Sequence, residues 1–73
     1  MKFTDVVDTA MMMDDVSRAE LARRVGWTTH SAVTNALNRK QGMAIGTFIR
    51  MMNAMGYEIV ARREDGEFLV TEE

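Results

Sequence analysis

Residues 17–40 read SRAELARRVGWTTHSAVTNALNRK, and this stretch decides the fold. Ser17 and Glu20 form an S-x-x-E pattern, in which the serine hydroxyl takes one free amide of a helix start and the glutamate reaches back to the cap. Leu21, Ala22 and Val25 follow as a short apolar face. Gly26 ends that helix, because glycine accepts the left-handed conformation without a Cβ penalty. Thr28 or Thr29 caps a second helix, expected over 29–38. There Val33, Ala36 and Leu37 point inward at i, i+3, i+4, and His30, Ser31, Thr34, Asn35 and Asn38 lie on the other side. Two helices crossing at about 90–120° need a small residue where their backbones approach, which Ala22 supplies. They also need a turn that tolerates positive φ, which Gly26 supplies four residues later. Val25, Val33 and Leu37 fill the angle between them. For Trp27, in the turn, packing over the junction is favoured over presenting its indole N–H outward.

Upstream, Phe3, Val6, Val7, Ala10 and Met11 recur on one face of an amphipathic helix, with Met13 off the stripe. Thr4 or Asp5 in the first turn suits the helix dipole. Downstream, Gln41 and Gly42 break the pattern. Ile45, Phe48, Ile49, Met52 and Met55 then form a fourth helix, with Gly46 either inside it, at about 1 kcal/mol relative to alanine, or in its first turn. Gly56 closes it. After Gly56 the period changes: YEIVARR and EFLVT bracket Glu64-Asp65-Gly66, a hairpin signal. Tyr57, Ile59 and Ala61 face one way, Glu58, Val60 and Arg62 the other, and Phe68 and Val70 oppose Leu69. A lone hairpin is marginal, so this one packs on the helices or pairs with another copy. The chain has no proline and no linker or repeat. It reads as one domain over 1–73, a helical bundle over 1–56 followed by a hairpin and tail over 57–73.

With 73 residues and no cysteine, the core contributes only roughly 3–5 kcal/mol and no disulfide supplements it. Oligomerisation is the natural supplement. No apolar run approaches the roughly 20 residues that span a bilayer, and the N-terminus lacks a secretory pattern. The expectation is a soluble cytoplasmic protein without a membrane partner. Net charge is −2, unevenly spread: −3 over 1–17, +5 over 18–50 and −4 over 51–73. The positive charge therefore falls on the helix pair. Of the eight methionines, Met12 and Met51 fall outside the stripes and are candidates for a partner surface. His30 has no second histidine, cysteine or carboxylate cluster beside it, so neither a metal site nor a cofactor is expected. No catalytic motif appears, and an enzyme is not expected.

Ser17, Glu20-Leu21-Ala22, Gly26 and Ser31-Ala32-Val33-Thr34-Asn35 resemble the signature of the Cro/repressor helix-turn-helix class, the xenobiotic-response-element-like (XRE) family. With the flanking helices the resemblance covers 3–56. It implies a mainly α fold, a four-helix lambda-repressor-like helix-turn-helix bundle, here with a C-terminal β-hairpin. It also implies a DNA-binding protein, usually a homodimer and often a repressor of phages or other mobile elements. Between Gly26 and Val33 there is one residue more than the commonest family pattern. That lengthens the turn or starts the second helix one position later.

On this reading the helix at 29–38 lies in the major groove of double-stranded DNA with its N-terminal residues at base edges. Asn35 suits bidentate bonding to adenine. Thr28, Thr29, His30, Ser31, Thr34 and Asn38 form the remaining polar contact face. Arg39 and Lys40 suit phosphates at the end of that helix, and Arg18 and Arg23 on the preceding helix fix the register. Arg24 faces another side. Edge-to-edge pairing of the hairpin, Tyr57 to Val70, would build a homodimer with two recognition helices roughly 34 Å apart. The alternative is a helix-turn-helix scaffold with a protein target, of the antitoxin or anti-CRISPR kind, with or without autoregulatory DNA binding.

Overall fold

The computed structural model describes residues 1–72. Four helices come first: α1 (Phe3–Asp14), α2 (Arg18–Val25), α3 (Ser31–Leu37) and α4 (Ile45–Ala54). Two strands, β1 (Ile59–Arg63) and β2 (Gly66–Val70), follow. The expected order of four helices and a terminal hairpin is the order observed.

The helix ends show why the chain turns where it does. At the start of α1 the Lys2 amide donates to the Asp5 carboxylate at 3.1 Å, so Asp5 both caps and complements the dipole. Its other end closes on Asp15 in the left-handed region (φ 54°), which aspartate tolerates better than most residues. Ser17 caps α2, its hydroxyl accepting from the Glu20 amide at 3.0 Å. The reciprocal half of the expected box is not formed, because the Glu20 carboxylate turns instead to Arg23 and Arg24. Gly26 ends α2 at φ 97°, with the Trp27 amide returning to the Ala22 carbonyl at 2.9 Å, a Schellman-type closure.

The start of α3 corrects the sequence reading. Neither Thr28 nor Thr29 caps it. His30 precedes the helix in right-handed helical conformation, with no side-chain cap. A capping side chain needs an extended backbone at that position. The Thr29 and His30 carbonyls instead accept directly from Ala32, Val33 and Thr34. The helix thus runs over 31–37, not 29–38, and 26–30 form the turn.

One apolar cluster holds the four helices together: Val7, Ala10 and Met11 from α1, Leu21 and Ala22 from α2, Val33 and Ala36 from α3, and Phe48, Ile49, Met51 and Met52 from α4. Val16, Met43 and Met55 fill it from the connections. Phe3 stacks on Phe48 with ring centroids 4.4 Å apart, fixing the start of α1 on α4. Trp27 is half-buried and packs on the cluster, as favoured from the sequence.

Two expectations about α4 fail. Met51, read as off-stripe and available to a partner, is fully buried, whereas Ile45, read as core, is 56% exposed. α4 packs on α1, α2 and β1 together, so it buries an arc wider than one stripe. Ile45 occupies the first turn, at the end of the helix. Met12, by contrast, is exposed as expected.

The hairpin pairs Ile59 with Val70, Val60 with Leu69, Ala61 with Phe68, Arg62 with Glu67 and Arg63 with Gly66. The turn is therefore Glu64-Asp65, and Gly66 lies in β2 rather than in the turn. Tyr57, Ile59 and Val70 pack on the helical core, and the rest of the hairpin projects beyond it, giving principal extents of 41 × 25 × 23 Å. Arg50 of α4 pairs with Glu72, the Nε donating at 2.9 Å, and straps the end of β2 to the bundle. That ion pair raises the Arg50 pKa above its ordinary value. Among the described residues no helix is long and apolar enough to cross a membrane.

Candidate nucleic-acid interface

α2 and α3 pack through Leu21, Ala22, Val33 and Ala36, all buried. That burial fixes which side of α3 remains outside. Ser31, Asn35 and Asn38 are exposed and Thr34 and Ala32 are half-buried, at the i, i+4 and i+7 spacing of a single helical face. Thr28, Thr29 and His30 are exposed in the turn before it. They border a groove of about 520 Å³ that also involves Ala19, Arg23 and Trp27.

Arg18 and Thr34, both singled out in the sequence, meet directly. The Arg18 Nη1 donates to the Thr34 hydroxyl at 3.0 Å. The guanidinium is thereby held beside the polar face of α3, and among the described residues its other donors make no hydrogen bond.

Arg23 occupies a different position. Its guanidinium lies on Glu20 at 2.6 Å, and Arg24 reaches the same carboxylate at 2.8 Å. The bonds from Arg24 and then Arg23 hold the Glu20 carboxyl below its usual pKa. One carboxylate is thus shared by two of the α2 arginines and offsets one of their two charges, a pairing that the net charge of 18–50 includes but does not locate. Arg50, counted there too, is paired with Glu72.

Arg39 and Lys40 are exposed just past the end of α3, in a loop held by Met43, which is buried, and by Gly42 at φ 85°. They line a cleft of about 480 Å³ together with Lys2 at the start of α1. Among the described residues Lys2, Arg39 and Lys40 form no ion pair, and no carboxylate lines the cleft. Lys2 was not singled out in the sequence: it is a lone cation in an acidic segment, and the packing of α1 on α4, with Phe3 stacked on Phe48, brings it to the end of α3.

The outcome is a polar strip on α3 with Arg18 beside its middle and Lys2, Arg39 and Lys40 near one end. Such a surface can hydrogen-bond to base edges and carry cations to phosphates. Comparisons with family models, with curated proteins and with solved structures each return no match for this chain.

Proposed function

We propose that this chain is a sequence-specific regulator of transcription that binds double-stranded DNA, with α3 as its recognition helix and a lambda-repressor-like helix-turn-helix as its fold. The observation that carries the reading is the exposed face formed by Ser31 and Asn35 of α3 and by Asn38 just after it, with Arg18 tethered beside it. The resemblance of residues 17–40 to the XRE class supports it, as does the cationic cleft at Lys2, Arg39 and Lys40. The regulator works in the cytoplasm as a homodimer joined through the hairpin, on an inverted-repeat operator, and as a repressor of phage or mobile-element type. Asn35 reads a base, Ser31, Thr34 and Asn38 serve bases or phosphates, and Arg39, Lys40 and Arg18 hold the backbone.

The test is a gel shift on the DNA upstream of the chain's own gene, with an Asn35→Ala, Arg39→Ala double variant beside the parent. Specific retardation that the double variant loses is the expected result. Absence of any specific shift at low salt and micromolar protein refutes the reading.

One observation favours a second reading. Met12 and Met13 stand 76% and 71% exposed on α1, and exposed methionines make adaptable protein-binding surfaces. A scaffold of the antitoxin or anti-CRISPR kind would use that face on a protein target. Binding there should vary little with salt, whereas DNA binding weakens log-linearly with it.

A further inference from the structure

We infer that two copies of this chain pair through the outer edge of β1, antiparallel about a two-fold axis at Val60, so that Glu58 of each protomer faces the partner's Arg62. This rests on the dimeric reading above and specifies its contact.

Among the described residues the sheet has two strands, so each presents one unpaired edge, a template for another strand. The two-residue turn sets the phase. With only Glu64 and Asp65 between them, Arg63 and Gly66 form a hydrogen-bonded pair. Antiparallel alternation then makes Ala61–Phe68 and Ile59–Val70 bonded pairs as well. The N–H and C=O groups of Val60 and Arg62 therefore point out from the free edge of β1, and continuing the alternation adds Glu58. No other backbone group takes them up among the described residues.

Outward-pointing residues can pair only with outward-pointing residues, so self-pairing must centre on a single residue. Centred on Val60, the edge sets Val60 against itself and Glu58 against Arg62 twice, using every outward group. Centred on Ala61, it sets Glu58 against Glu64. Centred on Ile59, it sets Arg62 against Gly56, and no opposite charges meet. The β2 edge offers no alternative of this kind, since residues 66–72, GEFLVTE, contain no cation. Charge complementarity across the strands thus selects one edge and one register.

The exposed apolar residues of the hairpin fall where this pairing needs them. Val60, Phe68 and Leu69 are 43%, 72% and 54% exposed. On the face turned from the bundle, Leu69 lies opposite Val60, and the pairing extends this into a row of Leu69, Val60, the partner's Val60 and the partner's Leu69. On the bundle face, Phe68 lies opposite Ala61, which in turn meets the partner's Ile59. The small Ala61 side chain leaves the Phe68 ring room to lean toward that isoleucine.

The experiment is sedimentation equilibrium of the full chain across the micromolar range, with far-UV circular dichroism to check helix content. The parent is expected to dimerise. Glu58→Arg changes a residue outside both strands and sets like charges together twice, weakening the dimer by about tenfold. The triple variant E58R/R62E/E67R reverses each charge of the contact and keeps an opposite pair across the hairpin, so it should restore the parent's dissociation constant. A parent that stays monomeric overturns both this contact and the dimeric reading. A dimer that Glu58→Arg does not weaken, or that the triple variant does not restore, overturns this contact alone. A gel shift of Glu58→Arg on a single half-site, expected to match the parent, reads the DNA contact separately.

Discussion

Arg18 at the head of α2 and Thr34 in the middle of α3 are joined by a 3.0 Å hydrogen bond from guanidinium to hydroxyl. The bond crosses sixteen positions of sequence and fixes a cation beside the polar face of α3. If Arg18 meets a phosphate, Thr34 positions it. Arg18→Ala should lower the slope of log affinity against log salt by about 0.9, the release of one counterion. Thr34→Val keeps the charge and shape, so the slope should hold while affinity falls. The double variant should lose less than the sum of the two, since the residues act as a unit. Strictly additive losses, measured by fluorescence anisotropy on a labelled duplex, would refute the coupling. Arg18→Ala should leave unfolding stability within about 0.5 kcal/mol of the parent, the two side chains being at the surface.

Met51 and Met12 make opposite predictions. Met51 is fully enclosed, and Met12 is 76% exposed. Met51→Ala should cost about 2–5 kcal/mol, comparable with the whole stability of a core this size, roughly 3–5 kcal/mol. Met51→Leu keeps the volume and should cost less than about 1.5 kcal/mol. Met12→Ala should stay within about 0.5 kcal/mol. Urea unfolding of the three variants checks this, and a near-neutral Met51→Ala would contradict the packing of α4.

The stretch 17–40 made the helix pair legible because its signals are local. A serine cap, a glycine stop and a small residue at the contact act within a few positions of themselves. What the sequence did not show depends on distant neighbours. The burial of Met51 follows from α1, α2 and β1 converging on α4, which no single-helix periodicity encodes. The start of α3 at Ser31 depends on the backbone of His30, which enters in right-handed helical conformation and leaves the helix without a side-chain cap. The polar face itself was readable, because Val33 and Ala36 fix its opposite. Its electrostatics were not. Arg23 and Arg24 share Glu20, Arg50 finds Glu72 twenty-two positions on, and Lys2 arrives beside Arg39 and Lys40 only through the packing of α1.

Glu20 gives the fold a specific acid response. Its bonds to Arg24 and Arg23 depress its pKa below the ordinary 4.5. A carboxyl with a lowered folded-state pKa stabilises fully above its unfolded value and loses that contribution as pH falls through the lowered one. Glu20→Gln should therefore melt below the parent at neutral pH. The gap should close as pH drops from about 4.5 downward, and it should shrink with added salt because the pairs are exposed. A gap independent of pH would refute the assignment. Freed of their carboxylate, Arg23 and Arg24 should also tighten non-specific DNA binding and steepen its salt dependence.

Lys2, Arg39 and Lys40 around one cleft provide a test that separates holding DNA from reading it. Phosphate contacts carry no sequence information, whereas base contacts do. Lys2→Ala and Lys40→Ala should each lower affinity for all duplexes by a similar factor and reduce the salt slope by about 0.9. Asn35→Ala should leave the slope unchanged and erase discrimination between the operator and a duplex altered at one base pair, a difference of about 1–3 kcal/mol. Lys2→Ala is the most informative of the three, because Lys2 lies outside the 17–40 stretch and only the fold brings it to the cleft. If Lys2→Ala changes neither affinity nor slope while Lys40→Ala changes both, DNA meets only the Lys40 side of the cleft, and the contact surface stops at the loop after α3.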